Sequence, residues 1–444
     1  MFLVAPFRKI VYTNVIKRLC FIYFIKISTM EVPLMNLPNI IANLNEEYIT
    51  IPSLKMFVKS KGISSKGTEA KGDYIRAISE YAGQTPENYR EVSEWIDNVI
   101  KEGIKEIRIL NISLDNEGEL LFSNELNAQN HFNKLLSTKV PHLMGNTYSN
   151  DYDLVKVSVG KDSHGKVASF LFCRMLRYFD LKKISRGISG AIVEYPIFVD
   201  YYYEQGWLII RYKSRSGLYD ILPEKASFEE QLSHKLNVSN EVDKVFNLVR
   251  SMLHLCNTDA YSASVIMKAK FFRILDKYTH TPSEIIEVLD QNEVNLKSVV
   301  TILEQTCRLP ASYHSKLEMD IKNLAEKYLS ITWSDKNIFI KDREAYPTRL
   351  SATDEEESKI DQSAATIDDP LQSKEVFFDN KRMLQNQKRC EGLTLIWKRR
   401  DRTYYSDPAF PVRFSEKGGT CTLSFKKYVA EEDIQHVLFA IINA

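Results

Sequence analysis

The spacing of apolar residues changes character along this chain, and that change constrains the fold more tightly than any motif does. Between residues 153 and 213 apolar positions alternate, with Val155, Val157 and Val159 interleaved by Lys156 and Ser158. A repeat of two puts alternate side chains on opposite faces of a strand. Residues 191–203 continue as an aromatic and β-branched run, and Glu204-Gln205-Gly206 turns them into another apolar stretch at 207–212. An antiparallel meander of at least four strands is predicted for 153–213. From 227 to 329 the repeat lengthens to three and four residues. Val242, Val245, Phe246, Val249, Met252 and Leu253 form one stripe. Ile285, Ile286, Val288 and Leu289 form a second, and Leu317, Ile321, Leu324, Tyr328 and Leu329 a third. Stripes of this kind are helix faces that seek a core. Strands gathered in one stretch and helices in another predict an α+β fold.

A chain of 444 residues exceeds one ordinary core. Its pattern divides into an extension at 1–29, a small helical module and following helix at 30–105, a β-rich domain at 106–226, a helical bundle at 227–345, a flexible linker at 346–375 and a small α+β domain at 376–444. Thr85-Pro86-Glu87 starts a helix whose apolar face is Val92, Trp95, Ile96 and Val99. Residues 107–112 alternate as a strand, and Asn116-Glu117-Gly118 is read as a turn into a strand at 120–122. Ser227 with Glu230, and Thr281 with Glu284, have capping-box spacing. The bundle is expected to end in a small hairpin about Ser334-Asp335. The linker rests on the polar, non-periodic text from Asp354 to Thr366. In the last domain, strands at 393–397, 412–414 and 421–425, a Gly418-Gly419 turn and a terminal helix burying Ile434, Val437, Leu438 and Ile441 are predicted.

The 59 basic and 58 acidic residues leave a net charge of +1, which excludes nucleic-acid binding by global charge and leaves room for a local basic face. The six cysteines make no CxxC pair and the eight histidines no HExxH, so no metal site and no cofactor is expected, and the thiols read as free in a reducing compartment. The first thirty residues are cationic and apolar, with a longest apolar run of seven at 19–25, too short to span a bilayer. They are read as a mistaken start with Met30 as the true first residue, as a peripheral membrane-binding helix, or as a poorly ordered tail. A soluble, cytoplasmic chain without a transmembrane segment is expected.

Residues 50–82 carry the functional clue. Pro52 suits a first helical turn, Leu54, Phe57 and Val58 form an apolar face, and Gly62 stops the helix. A loop of Ser, Lys and Gly follows, and then Tyr74, Ile75 and Ile78 face back, so two short helices share a small core. Lys55, Lys59, Lys61, Lys66, Lys71 and Arg76 oppose only Glu69, Asp73 and Glu80, a local excess of +3. Helix N-termini and Ser/Thr/Gly loops offer backbone N–H groups to phosphates, and lysines around them add counterion release. Leu54-Lys55, Gly62-Ile63, Gly67-Thr68, Lys71 and Ile75 resemble the pattern of the SAP module. The resemblance covers only this segment. It implies a helix–extended loop–helix that binds DNA, often AT-rich, through its second helix and the loop before it, here by Lys66, Gly67, Thr68, Lys71 and Arg76, to which the local positive charge and the Ser/Lys/Gly loop add Lys59, Lys61 and Ser65 as candidate contacts. Glu69-Ala70 inserts two residues before the expected Lys, and Gly72 lowers helix propensity by about 1 kcal/mol.

Other motifs are incomplete. The text 160–167 has P-loop glycine spacing but Val167 where magnesium needs Ser or Thr, so a hairpin turn is the better reading. Asp200, Glu204 and Lys213 lack the acid-x-Lys spacing of a metal-dependent nuclease. The basic run 398–402 beside Tyr404 and Tyr405 reads as a solvated hairpin tip or a single-strand contact. The expected function is therefore non-enzymatic binding of double-stranded DNA, with protein partners for the larger domains. A nucleic-acid-processing enzyme with a site assembled from distant residues, or an interaction subunit of a bacterial defence complex, are the alternatives.

Overall fold

A computed structural model of the chain describes residues 48–64, 70–136, 153–161, 167–184, 187–203, 205–214, 218–220, 230, 233–256, 259–353, 359–367, 369–400 and 407–444. The extension at 1–29 and Ser227 of the first predicted capping box lie outside them. The chain divides into two compact units, one ending at Thr258 and one spanning Asp259–Ala444. Each combines helices with antiparallel strand pairs, so the class is α+β. Among the described residues no helix is long and apolar enough to cross a membrane.

In the first unit, helices α1 (Ile51–Ser60), α2 (Lys71–Ala82) and α3 (Pro86–Val99) precede strand β1 (Lys105–Asn111). Next come α4 (Asn116–Ser123) and α5 (Glu125–Leu136), then β2 (Asp153–Lys161), β3 (Val167–Ile184), β4 (Gly187–Tyr202), β5 (Trp207–Tyr212) and the short β6 (Leu218–Tyr219), and finally α6 (Val238–Met252). The sheet order is β2-β3-β4-β5-β1, with β6 on β3, so the predicted meander is present. β2 and β3 pair as antiparallel neighbours around the P-loop-like text, of which 162–166 lies outside the described residues. Gly206 turns β4 into β5 with φ +64°, and a Cβ there would meet the Ile112 carbonyl oxygen at 3.0 Å, so both backbone angle and space require glycine.

All six residues of β5 are buried, because both faces of the sheet are covered. Phe198 of β4 lies in the core of the three N-terminal helices. Its neighbours Ile197 and Val199 point the other way and share a core with Val242, Val245 and Val249 of α6. Arg211 is buried within β5 and pairs with Asp200 at 3.1 Å. The strand expected at 120–122 is instead part of α4. The Asp115 carboxylate accepts the N–H groups of Glu117 (3.0 Å) and Gly118 (2.9 Å), and this cap starts a helix where the glycine suggested a turn.

In the second unit, α7 (Ala260–Tyr278), α8 (Ser283–Gln291), α9 (Glu293–Cys307) and α10 (His314–Thr332) lead to β7 (Ala345–Thr353) and β8 (Lys359–Ser363). Helix α11 (Glu375–Gln387), strands β9 (Gly392–Lys398), β10 (Ala409–Lys417) and β11 (Thr420–Phe425), and α12 (Glu431–Ile442) complete it. The strand order is β11-β10-β9-β7-β8. Helix α7 buries Met267, Phe271 and Ile274, with Phe271 edge-on to Phe414 of β10 at 5.9 Å. The terminal helix buries Ile434, Val437, Leu438 and Ile441, as its pattern predicts.

Four expectations fail here for identifiable reasons. The segment 346–375 is not a flexible linker: β7 pairs with both β8 and β9, and Tyr346, Leu350, Ala352 and Leu371 are buried. Only the acidic run 354–358 within it lies outside the described residues. Nor do the helices of 227–345 make one bundle, because α6 buries its stripe in the first unit and α7 to α10 belong to the second. No hairpin forms about Ser334-Asp335; the Asp335 carboxylate accepts the Asn337 N–H at 2.9 Å and starts a 3-10 turn that buries Ile338 and Phe339. Thr281 does not cap α8. Pro282 holds that position, and the Thr281 hydroxyl donates to Glu326 Oε1 at 2.7 Å.

Glu326 also takes the Lys381 ammonium on both oxygens, at 2.8 and 3.0 Å, which is why α10 buries an acid while Leu324 and Tyr328 of its predicted core stripe stay exposed. Arg343 is a second buried charge. It donates to the carbonyl oxygens of Tyr278 and His280 at the C-terminus of α7, and to Gln372 Oε1. The helix dipole favours a cation there, and burial pushes the guanidinium down to about 10.

Candidate nucleic-acid interface

Helix α1 is bounded by local chemistry. Thr50 caps its N-terminus, accepting the Ser53 N–H at 3.4 Å, and Pro52 sits in the first turn. At the other end Gly62 adopts φ +64°, while the N–H groups of Ile63 and Gly62 reach back to the carbonyls of Val58 (2.9 Å) and Lys59 (3.2 Å). That is a Schellman stop. Leu54, Phe57 and Val58 are buried, as are Tyr74 and Ile78 of α2. Burying each such side chain is worth about 1.5–3 kcal/mol.

The core is larger than the two-helix core the sequence suggested. Helix α3 closes it with Val92 and Ile96, and Trp95 lies 4.6 Å from Phe57 between ring centroids. The N-terminal module is therefore three helices seated on the sheet through Phe198.

The predicted contact residues separate on this frame. Lys59 is exposed in the last turn of α1, and Arg76 is exposed on α2. Lys71 is half-buried at the first position of α2. Ser65, Lys66, Gly67 and Thr68 lie outside the described residues. Lys61 differs from the rest, because its ammonium lies 2.6 Å from Glu91 Oε2 of α3. Tyr81 donates its hydroxyl to the same oxygen at 2.9 Å. The hydrogen bond from Lys61 holds the Glu91 carboxyl below its ordinary value and raises the Lys61 ammonium above its own. At the N-terminus of α2, Asp73 Oδ2 accepts the Ala70 N–H at 3.3 Å, so an internal acid occupies one of the donors that a phosphate would use.

The third helix carries the opposite charge. Arg90 is spanned by Glu87 (3.2 Å) and Glu94 (3.9 Å), and Glu91 holds Lys61. Glu91 and Tyr81 were missed by sequence reasoning. Glu91 stands thirty residues from Lys61 in a different helix, and no spacing rule links them. Two buried lysines flank one aromatic ring, Lys105, which sequence reasoning missed, and Lys213, which it considered only as part of a nuclease set. Lys105 Nζ donates to the Ile100 carbonyl at 2.8 Å, and the Tyr48 ring lies under both Lys105 (5.3 Å) and Lys213 (4.1 Å).

The other sequence candidates do not assemble. Asp200 is engaged by Arg211 and Lys213 lies over Tyr48, while Glu204, the third member of the nuclease set, is outside the described residues. Among the described residues no three His, Cys, Asp or Glu side chains are grouped to hold a metal. Within the basic run 398–402, Arg400 is exposed and residues 401–402 lie outside the described residues, but Lys398 and Arg399 turn back onto the fold. Lys398 Nζ donates to the Ile340 and Lys341 carbonyls, and Arg399 is buried between the Asp407 and Tyr428 carbonyls and Asp433. Burial pushes the Asp433 carboxyl up. Residues 401–406, including Tyr404 and Tyr405, lie outside the described residues.

A cleft of about 340 Å³ in the first unit gathers Glu117, Asn127, His131, Lys134 and His254. His254 Nδ1 lies 2.9 Å from Glu117 Oε2, and His254 takes φ 54° at the end of α6. Burial lowers the His131 imidazole. This is acid–base material, and among the described lining residues none is a Ser, Thr or Cys nucleophile. No family model, curated protein or solved structure matches the chain.

Proposed function

We propose that the three-helix N-terminal module binds the sugar–phosphate backbone of duplex DNA. The observation that supports this reading is the sorting of charge within the module. Helix α1 carries Lys55 and Lys59 with no acid and α2 is balanced, with Lys71 and Arg76 against Asp73 and Glu80, while α3 carries Glu87, Glu91, Glu94 and Asp97 against Arg90 alone. Lys59 and Arg76 are the exposed contacts, Lys71 and the sequence candidates Ser65, Lys66, Gly67 and Thr68 add to them, and Glu91 withholds Lys61. A balanced chain then binds through one face, by counterion release.

The test is fluorescence anisotropy of the full chain with a labelled AT-rich duplex across a salt series. Each phosphate contact steepens the plot of log affinity against log salt by about 0.9. The double variant Lys59→Glu, Arg76→Glu is expected to weaken binding and flatten that slope by about two units. A wild-type chain that does not bind, or a slope unchanged in the variant, defeats the proposal.

A further inference from the structure

Strands β3 and β4 run on past the strands that flank them. They pair from Ser169 opposite Tyr202 to Ile184 opposite Gly187. On one side β2 accompanies β3 only as far as Met175, and on the other β5 accompanies β4 only from Phe198 to Tyr202. From Leu176 opposite Tyr195 outward, β3 and β4 continue as a two-stranded ribbon. At roughly 3.4 Å per residue the ribbon is about 30 Å long. Among the described residues, the only other strand paired with it is the two-residue β6, at Phe179 and Asp180. Its root is fixed, because Tyr195 is buried in the core shared with α6 and its hydroxyl donates to the Lys213 carbonyl.

The charge of the outer part has one sign. Between Asp180 and Glu194 stand Lys182, Lys183 and Arg186 and no acid, in a chain whose net charge is +1. Arg186 lies outside the described residues. Lys182 is in register with Ser189 and Lys183 with Ile188, so both cations belong to the outer end of the ribbon. Gly187, Ser189, Gly190 and Ala191 make the returning strand a slim one there. Charges on bare strand edges ordinarily guard against pairing with other chains. Acids serve that purpose as well as lysines, so a run of cations alone adds something more, attraction for a polyanion. The shape selects which polyanion. Two strands about 4.8 Å apart fit the major groove of duplex DNA, which is about 12 Å wide and admits a two-stranded ribbon, whereas the minor groove is only about 6 Å wide.

We propose that the β3–β4 ribbon is a second DNA-binding element of this chain, laid in the major groove with Lys182 and Lys183 at the flanking phosphates. The inference rests on duplex DNA being the ligand, as in the reading above, and on no residue of the helical module. The test is anisotropy of the full chain with a labelled duplex across a salt series. Lys182→Glu, Lys183→Glu is expected to flatten the slope of log affinity against log salt by about two units. The control Lys316→Glu, Lys322→Glu makes the same change of charge at exposed sites in the second unit and is expected to leave the slope unchanged. Circular dichroism checks folding, and Lys182→Gln, Lys183→Gln decides the matter if the glutamate variant unfolds. Dimethyl sulfate then reports the groove: protection of guanine N7 is expected with wild type and is expected to be lost in the ribbon variant. Protection of adenine N3 instead, which lies in the minor groove, overturns the placement. A slope that the ribbon variants leave unchanged, while Lys59→Glu, Arg76→Glu flattens it, overturns this inference and keeps the helical module. The converse keeps the ribbon and removes the module. A wild-type chain that does not bind overturns both.

Discussion

Helices α6 and α9 are each fifteen residues long and rich in valine, yet they end in opposite environments. In α6, Val238, Val242, Val245 and Val249 recur at spacings of three and four, and all are buried against the sheet. In α9, Val294, Val299 and Ile302 stand off that rhythm, and only Val300 is buried. The lesson is that apolar content does not decide burial. A stripe narrow enough to be covered by one neighbour becomes core, and apolar residues spread around a helix leave some facing out.

The contrast breaks most visibly under charge insertion. Val242→Asp on α6 is expected to destabilise the first unit by about 3–5 kcal/mol, because a carboxylate is stranded in a dry core. Ile302→Asp on α9 should stay within about 0.5 kcal/mol in dilute solution. Urea unfolding of the two variants measures the difference. A large loss from Ile302→Asp would mean that the α9 face is covered in the free chain.

Buried polar anchors sharpen the same point for the second unit. Arg343→Ala removes the donor from the Tyr278 and His280 carbonyls and from Gln372. A loss of about 2–3 kcal/mol is expected in urea unfolding, since those acceptors stay buried without it.

Helix stops give smaller effects of opposite sign. Gly62 and Lys388 both follow helices with positive φ, 64° and 52°. Gly62→Ala should destabilise by about 1 kcal/mol and Lys388→Gly should stabilise by up to about 1 kcal/mol, read as shifts in melting temperature.

The smallest effect on stability concerns Glu91. Its carboxyl is held below the ordinary 4.5, so the contribution of the Lys61 pair is present above that pH and lost as pH falls through the lower folded value. Glu91→Gln should therefore be slightly less stable than wild type at neutral pH and match it in strong acid. The same variant releases Lys61 and should steepen the salt dependence of DNA binding by about one unit. An unchanged slope would show that Lys61 does not face the duplex.

Much of the fold is legible in local spacing. Period-two text became β2 to β5, and the cap at Thr85 and the stop at Gly62 bound their helices as the sequence implies. The terminal strands and helix behaved likewise. These features depend on residues within a turn or two of each other, where sequence alone carries the physics. The errors fall where a distant partner overrides a local signal. Within the segment read as a linker, 346–353 and 359–363 became strands because β9 was available to pair with β7, and β7 with β8. Arg399 left the surface because two carbonyls and Asp433 could receive it.

The candidate interface divides along the same line. Lys59, Lys71 and Arg76 were identifiable as a local cationic cluster in a helix–loop–helix segment, because a sum of charges over thirty residues needs no coordinates. Tertiary structure alone decided that Lys61 is neutralised, that a third helix completes the core, and that Lys105 and Lys213 are buried beside Tyr48. The physical reason is range. Periodicity and capping act along the chain, whereas a charge answers to whatever the fold brings within a few ångströms of it, and that neighbour can come from any part of the sequence.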